Sequence, residues 1–197
     1  MGIERQGSKP TGKTGYFIGK MMNIFHTGFY KKYYDKVLPD SSIIILDIGC
    51  GGGSLIKYLI NKNQKYKLFG LDHSEEMVML SKKVNIESVN NGRVFINFGS
   101  VSKLPYNNET MDIVTANETV QFWSDISETF SEIYRVLKKD GCFFIINRYP
   151  PEGSKWWKIA KLKNENEFNN AFKKAGFKNV DIDLKTKKGW IITKTVK

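Results

Sequence analysis

Ile43-Ile44-Ile45-Leu46-Asp47-Ile48-Gly49-Cys50-Gly51-Gly52-Gly53 is the stretch that decides the fold. Its first half is β-branched and apolar, as a strand buried on both faces should be. Its second half is a glycine loop, where the backbone can turn sharply and approach a ligand closely. Ser54 to Ile60 then reads as a helix. Strand, acid, glycine loop and helix in that order form the opening unit of a doubly wound α/β sheet, which binds ligands at the carboxyl edge of its strands.

The rest of the chain repeats the alternation. Lys67–Asp72 reads as a second strand, and Ser74 caps a helix whose first turn holds Glu75 and Glu76, favourable against the helix dipole. Val94–Phe98 and Met111–Ala116 read as strands three and four, and Asp125–Leu137 as an amphipathic helix stopped by Lys138-Lys139-Asp140-Gly141. Cys142–Asn147 reads as strand five. Helical material is expected from Pro151 to about Ala175, with Gly176 as a stop. Val180–Lys185 and Trp190–Val196 alternate across a turn and predict a hairpin. The expectation is a Rossmann-like α/β fold with a seven-stranded, doubly wound sheet, mostly parallel, and an antiparallel C-terminal hairpin strand.

Upstream, residues 1–15 are polar and glycine-rich, and Tyr16–Leu38 reads as short helices dense in aromatics, stopped by Pro39. Residues 1–40 are therefore expected to be a flexible N-terminus and helical flap, and residues 41–197 the ligand-binding domain. Gly7-Ser8-Lys9-Pro10-Thr11-Gly12-Lys13-Thr14 matches the phosphate-loop pattern, but no strand precedes it and Gly15 follows. That pattern acts only between a buried strand and a helix N-terminus, so it is set aside.

The 197 residues carry 31 Lys+Arg against 20 Asp+Glu, a formal charge of +11. The excess is unevenly spread: residues 41–150 hold 12 basic and 12 acidic side chains, so all of it lies in the flanks. Of the 31 cations 27 are Lys, which reads first as a solvated surface and second as a footprint for a polyanion. Two cysteines and two histidines exclude a disulfide scaffold and leave no ligand set for a metal. No apolar run approaches a membrane span, and residues 1–10 lack the apolar core of a signal peptide, so a cytoplasmic setting is expected.

The glycine loop has two readings, a nicotinamide dinucleotide site and a site for a ribose-bearing ligand without phosphates. Ser54 stands where the third glycine of the dinucleotide pattern belongs, and Asp47 would face a pyrophosphate. Asp47 suits an ammonium group instead, and Asp72, closing strand two, is placed to accept both hydroxyls of a ribose.

With ILDIGCGGG (45–53), GLDHSEEMV (70–78), FGSVSKLPYNNETMDIVTA (98–116) and RVLKKDGCFFI (135–145) in this order, the chain resembles the class I S-adenosylmethionine-dependent methyltransferases. Within them it is similar to the small group around the ubiquinone/menaquinone-biosynthesis methyltransferases. The resemblance implies S-adenosyl-L-methionine as cofactor, with Gly49, Cys50 and Gly51 around its methionine part, Asp47 near its amino group and Asp72 on its ribose. It places His73 at the cofactor rim, Met77 against the adenine, and Ser100 and Val101 beside the adenine amino group, where the family commonly has an Asp. Asn117 and Glu118, after strand four, would border the methionine moiety and the methyl group.

Methyl transfer from a sulfonium needs in-line positioning and, for O–H or N–H acceptors, a base. His26, in the flap, and Glu118 are the candidates. Trp123 and Tyr149 fall on loops at the same edge and are expected either to line the acceptor pocket or to pack. The expected reaction is methylation of a small-molecule acceptor. Two alternatives stand beside it: RNA or protein methylation through the basic flanks, and a non-catalytic S-adenosylmethionine-binding regulator.

Overall fold

The described residues form seven strands, mostly paired in parallel, with antiparallel pairing at the C-terminal end. The structure, a computed structural model, describes residues 27–149, 151–185 and 189–197. The phosphate-loop-like motif, His26 and the first part of the expected flap lie outside the described residues. The chain divides into two compact units, residues 1–100 and 101–197.

In the first unit β1 (Ile44–Ile48), β2 (Lys67–Asp72) and β3 (Val94–Phe98) pair in parallel, with Asp47 opposite Gly70 and Asp72 opposite Phe98. Helix α1 (Thr27–Val37) precedes β1, α2 (Ser54–Lys62) follows it, and α3 (Glu75–Val84) and α4 (Ile86–Asn90) link β2 to β3. Helix α2 buries Leu55, Ile56, Leu59 and Ile60, an i, i+1, i+4, i+5 stripe that faces the sheet. The expected N-cap is present: Ser74 Oγ accepts from Met77 N at 3.3 Å.

The described part of the aromatic segment is tied to α2. Tyr34 is fully buried, and Asp35 accepts from Lys62 Nζ at 2.6 Å and from the Tyr58 hydroxyl. That bond to Asp35 pushes the Tyr58 hydroxyl up to about 12. Lys31 lies 4.9 Å from the Tyr58 ring centre, so this flank lysine covers an aromatic face.

In the second unit β4 (Met111–Asn117) pairs in parallel with β5 (Leu137–Arg148). β7 (Trp190–Val196) then runs antiparallel between β5 and β6 (Lys178–Lys185). Helices α5 (Ile126–Val136), α6 (Lys155–Ile159) and α7 (Glu165–Lys174) complete it. The helical material expected before Gly176 is present as two helices. Phe130, Phe143 and Phe172 are buried and meet in stacked and edge-on pairs with centres 5.0–6.0 Å apart, joining α5 and α7 to β5.

One boundary differs from the sequence reading. Lys138–Gly141, read as a helix-ending loop, lies inside β5. Between Met111↔Leu137 and Ile113↔Cys142 the register shifts, with Asp140 at φ 63°. The turn-forming residues build an irregularity in a strand that starts directly at the helix end.

A second carboxylate organises the segment before β4. Glu132 accepts from Leu104 N at 2.8 Å and binds Arg135 through both oxygens, at 2.6 and 2.8 Å. Arg135 also donates to the carbonyls of Leu104 and Tyr106 and to Asn108 Oδ1. One Glu and one Arg, three residues apart on α5, thereby hold residues 104–108 through their backbone.

Candidate functional site

The carboxyl ends of β1 and β2 meet through main-chain bonds that the loop composition makes possible. Gly49 N and Cys50 N both donate to Leu71 O, at 2.8 and 3.1 Å. Gly51 N donates to Asp72 Oδ2 at 2.8 Å, and Ser74 N donates to Oδ1 at 2.9 Å. Gly51 has φ 51°, and a Cβ built there would meet no atom within 4 Å. The inner curve of the loop is open. Gly53 is the reverse: at φ 77° a Cβ would fall 2.2 Å from Ser81 Oγ and 2.7 Å from Asn85 Nδ2. Asn85 Nδ2 donates to Gly53 O at 3.0 Å, so the far side of the loop is packed against α3 and pinned to it.

Asp72 is 6% exposed, and among the described residues no Lys or Arg pairs with it. Burial raises its carboxyl above the ordinary range, against the opposing pull of the N–H donors of Ser74 and Gly51. His73 is exposed, with Nδ1 3.8 Å from Asp72 Oδ1. Each Asp72 oxygen spends one lone pair on a backbone N–H, which fixes the plane of the carboxylate and leaves accepting capacity on both oxygens. That is the donor-seeking geometry a vicinal diol would satisfy.

The neighbouring acid and thiol complete this corner. Asp47, in β1, is 3% exposed. Cys50 is buried, and burial, then the charges of Asp72 and Asp47, push its thiol well above the ordinary value. It stays protonated and is no nucleophile. Met77 is 3% exposed in the first turn of α3. Ser100, two residues past β3, is exposed, while Val101, which opens the second unit, is half-buried.

In the second unit Asn117 closes β4 and is half-buried. Glu118 follows at φ 52°, a left-handed backbone unusual for a residue with a Cβ. Its N–H donates to Ile146 O at 2.8 Å, and its carboxylate accepts from Arg148 Nε at 2.8 Å. Arg148 sits over Trp190, its guanidinium carbon 4.0 Å from the ring centre. Neither Arg148 nor Trp190 stood out in the sequence; each is the boundary residue of a strand, and only their pairing gives them a shared role. Trp123 packs instead of lining a site: it is 3% exposed, edge-on to Phe130, with Nε1 donating to Thr119 Oγ1 at 3.3 Å. Asp112 accepts from Lys138 Nζ at 2.7 Å near the start of β4, as a residue shaping the strand entrance would.

A family model described as a methyltransferase domain matches residues 46–145. Demethylmenaquinone methyltransferase of Lactobacillus johnsonii is 30% identical over 126 residues, covering 63% of this chain and 51% of that protein. The enzyme of the same description from Symbiobacterium thermophilum is 33% identical over 138 residues, covering 66% and 54%. This chain thus spans about half the length of the curated relatives it matches. Among solved structures, a SAM-dependent methyltransferase from Aquifex aeolicus superposes with a TM-score of 0.75 at 19% identity, covering 92% of this chain and 97% of that one.

Proposed function

Because the chain belongs to the S-adenosylmethionine-dependent methyltransferase family, matched over residues 46–145, we propose that it transfers a methyl group from S-adenosylmethionine to a small-molecule acceptor. The observation that carries this reading is Asp72, a buried carboxylate with no Lys or Arg partner among the described residues, at the end of β2, held by backbone N–H groups beside an open glycine loop. A buried, unneutralised charge costs stability and is kept where a ligand completes it.

When bound, S-adenosylmethionine supplies a methyl group already activated by a positive sulfur. The chain's own residues bind and orient. Asp72 accepts the two ribose hydroxyls, and the open curve at Gly51 admits close approach of the methionine part to the main chain. Asp47 supplies negative charge for the ammonium group. Met77, Ser100 and Val101 serve the adenine, and Asn117 the methionine moiety. Glu118, held by Arg148, and His26 are the candidates to take a proton from an O–H or N–H acceptor. A small acceptor is supported by the relatives reported above, both named for demethylmenaquinone. Residues 1–40 act as the flap of this site and residues 41–197 as its body. Isothermal titration with S-adenosylhomocysteine is the test: one-site binding is expected, and absence of binding overturns the reading.

A further inference from the structure

Arg148 and Trp190, which the proposed cofactor contacts do not include, form an arrangement with Glu118. Three strand boundaries converge there, because β7 is antiparallel to β5. The last residue of β5 therefore pairs with the first residue of β7, Arg148 with Trp190, and Tyr149 N donates to Gly189 O at 2.9 Å. Glu118 reaches the same corner from the end of β4.

The guanidinium is fixed in three ways. Its Nε–H is taken by Glu118 at 2.8 Å, its guanidinium carbon lies over the Trp190 ring 4.0 Å from the centre, and its backbone pairs with Trp190 at the end of β5. Its terminal Nη1 and Nη2 groups make no hydrogen bond among the described residues, and the side chain is half exposed. An Arg pre-oriented by stacking and by one ion pair, with its end-on fork open, is matched to the two oxygens of a carboxylate or phosphate. Glu118 holds a strained φ of 52° to make its half of the arrangement, fixed by the bond to Ile146 O and by Gln121 Nε2 donating to Glu118 O at 2.7 Å. Backbone strain kept in place by surrounding bonds is a mark of a functional corner. Gln121 Oε1 is buried without a partner, so the same corner also holds an unmet hydrogen-bond acceptor.

We infer that Arg148 anchors an anionic group, a carboxylate or a phosphate, of the methyl acceptor, with Glu118 as its positioning residue. The inference rests on the methyltransferase reading for the word acceptor, and on the Arg148 geometry alone for the anion.

The test is a nitrogen-15 NMR titration of the Arg148 Nε–H resonance, assigned by its loss in Arg148→Lys. Wild-type protein is titrated with sodium acetate, then inorganic phosphate, then acetamide as the neutral control. Ionic strength is held with chloride, and each series is run with and without S-adenosylhomocysteine. A saturable shift with acetate alone identifies a carboxylate, one with phosphate alone a phosphate, and either supports the inference. Glu118→Gln is expected to weaken that binding about tenfold by loosening the hold on the guanidinium. No saturable shift with either anion, or an equal shift with acetamide, overturns it. Anion binding in a protein that fails to bind S-adenosylhomocysteine overturns the assignment to a methyl acceptor, and the cofactor titration reads that failure separately.

Discussion

Asp72 and Glu132 are two carboxylates that each hold a loop by accepting backbone N–H groups, and they titrate in opposite directions. Glu132 has Arg135 against both oxygens, and that hydrogen-bonded pair holds its carboxyl below the ordinary range. Asp72 is more deeply buried and has backbone N–H donors but no Lys or Arg among the described residues, so burial raises its carboxyl. Glu132 is a finished piece of structure, its charge satisfied within the fold. Asp72 is unfinished, and the free energy withheld from folding is available to a ligand that brings donors. The difference supports the proposed binding role of Asp72 without reference to any relative.

The sharpest way to break the contrast is to disturb the loop that leaves Asp72 accessible. Gly53→Ala imposes a side chain on a left-handed residue and drives a Cβ to 2.2 Å from Ser81 Oγ. It should destabilise the fold by about 3 kcal/mol, the sum of backbone strain and overpacking. Urea unfolding with an unchanged slope would read that loss, and a change below half of it would show that the packed side of the loop yields.

Next comes the binding acid itself. Asp72→Asn removes two charge-assisted bonds to the ribose, each contributing about 1.5 kcal/mol, so S-adenosylhomocysteine affinity should fall about 100-fold by calorimetry. Wild-type affinity in this variant would reduce Asp72 to a loop brace like Glu132.

The structural acid should behave differently. Glu132→Gln is expected to cost about 1 to 1.5 kcal/mol of stability near neutrality and to leave cofactor affinity unchanged. Because the folded-state value of Glu132 is depressed, its contribution is present above the ordinary glutamate range and disappears as pH falls through the lowered value. The gap between variant and wild type in thermal unfolding should therefore close on acidification.

The smallest effect is the pH response of Asp72. Its raised value means that its share of stability is complete in acid and is lost as pH rises through the folded value. Cofactor binding needs the ionised form and should follow the opposite course, falling about twofold at the midpoint of the Asp72 titration. Parallel binding and unfolding measurements between neutrality and mild acid would show the two trends crossing. If they run together, burial does not set the Asp72 equilibrium.

Much of this was legible because local chemistry forces it. Ile43–Gly53 can hardly be anything but strand and turn, and the spacing from Asp47 to Asp72 puts two acids at two successive strand ends. The β5 boundary was not legible, since Lys-Lys-Asp-Gly is a turn signature and only pairing with β4 turns it into an irregular strand. Helix α4 is five residues, too short for a periodic pattern to register. Glu118 and Arg148 stand thirty residues apart, and nothing in one sequence announces their contact. A signal did exist in residue choice. In a chain that uses Lys for 27 of 31 cations, the described arginines each donate guanidinium N–H groups to oxygen. Arg93 Nη2 bonds Ile60 O and Asn63 O, Arg135 braces residues 104–108, and Arg148 holds Glu118.

The antiparallel insertion of β7 bears on how the second unit is assembled during synthesis. β5 carries the unbroken apolar run Cys142–Ile146, yet its neighbour on one side comes from residues 190–196, after α6, α7 and β6 have been made. Until then β5 presents an unpaired, hydrophobic edge, the kind of surface that recruits other chains. Rapid folding of the first unit would not shorten that interval. Ribosome-bound chains cut before Trp190 should be more aggregation-prone and chaperone-dependent than chains extended through Val196.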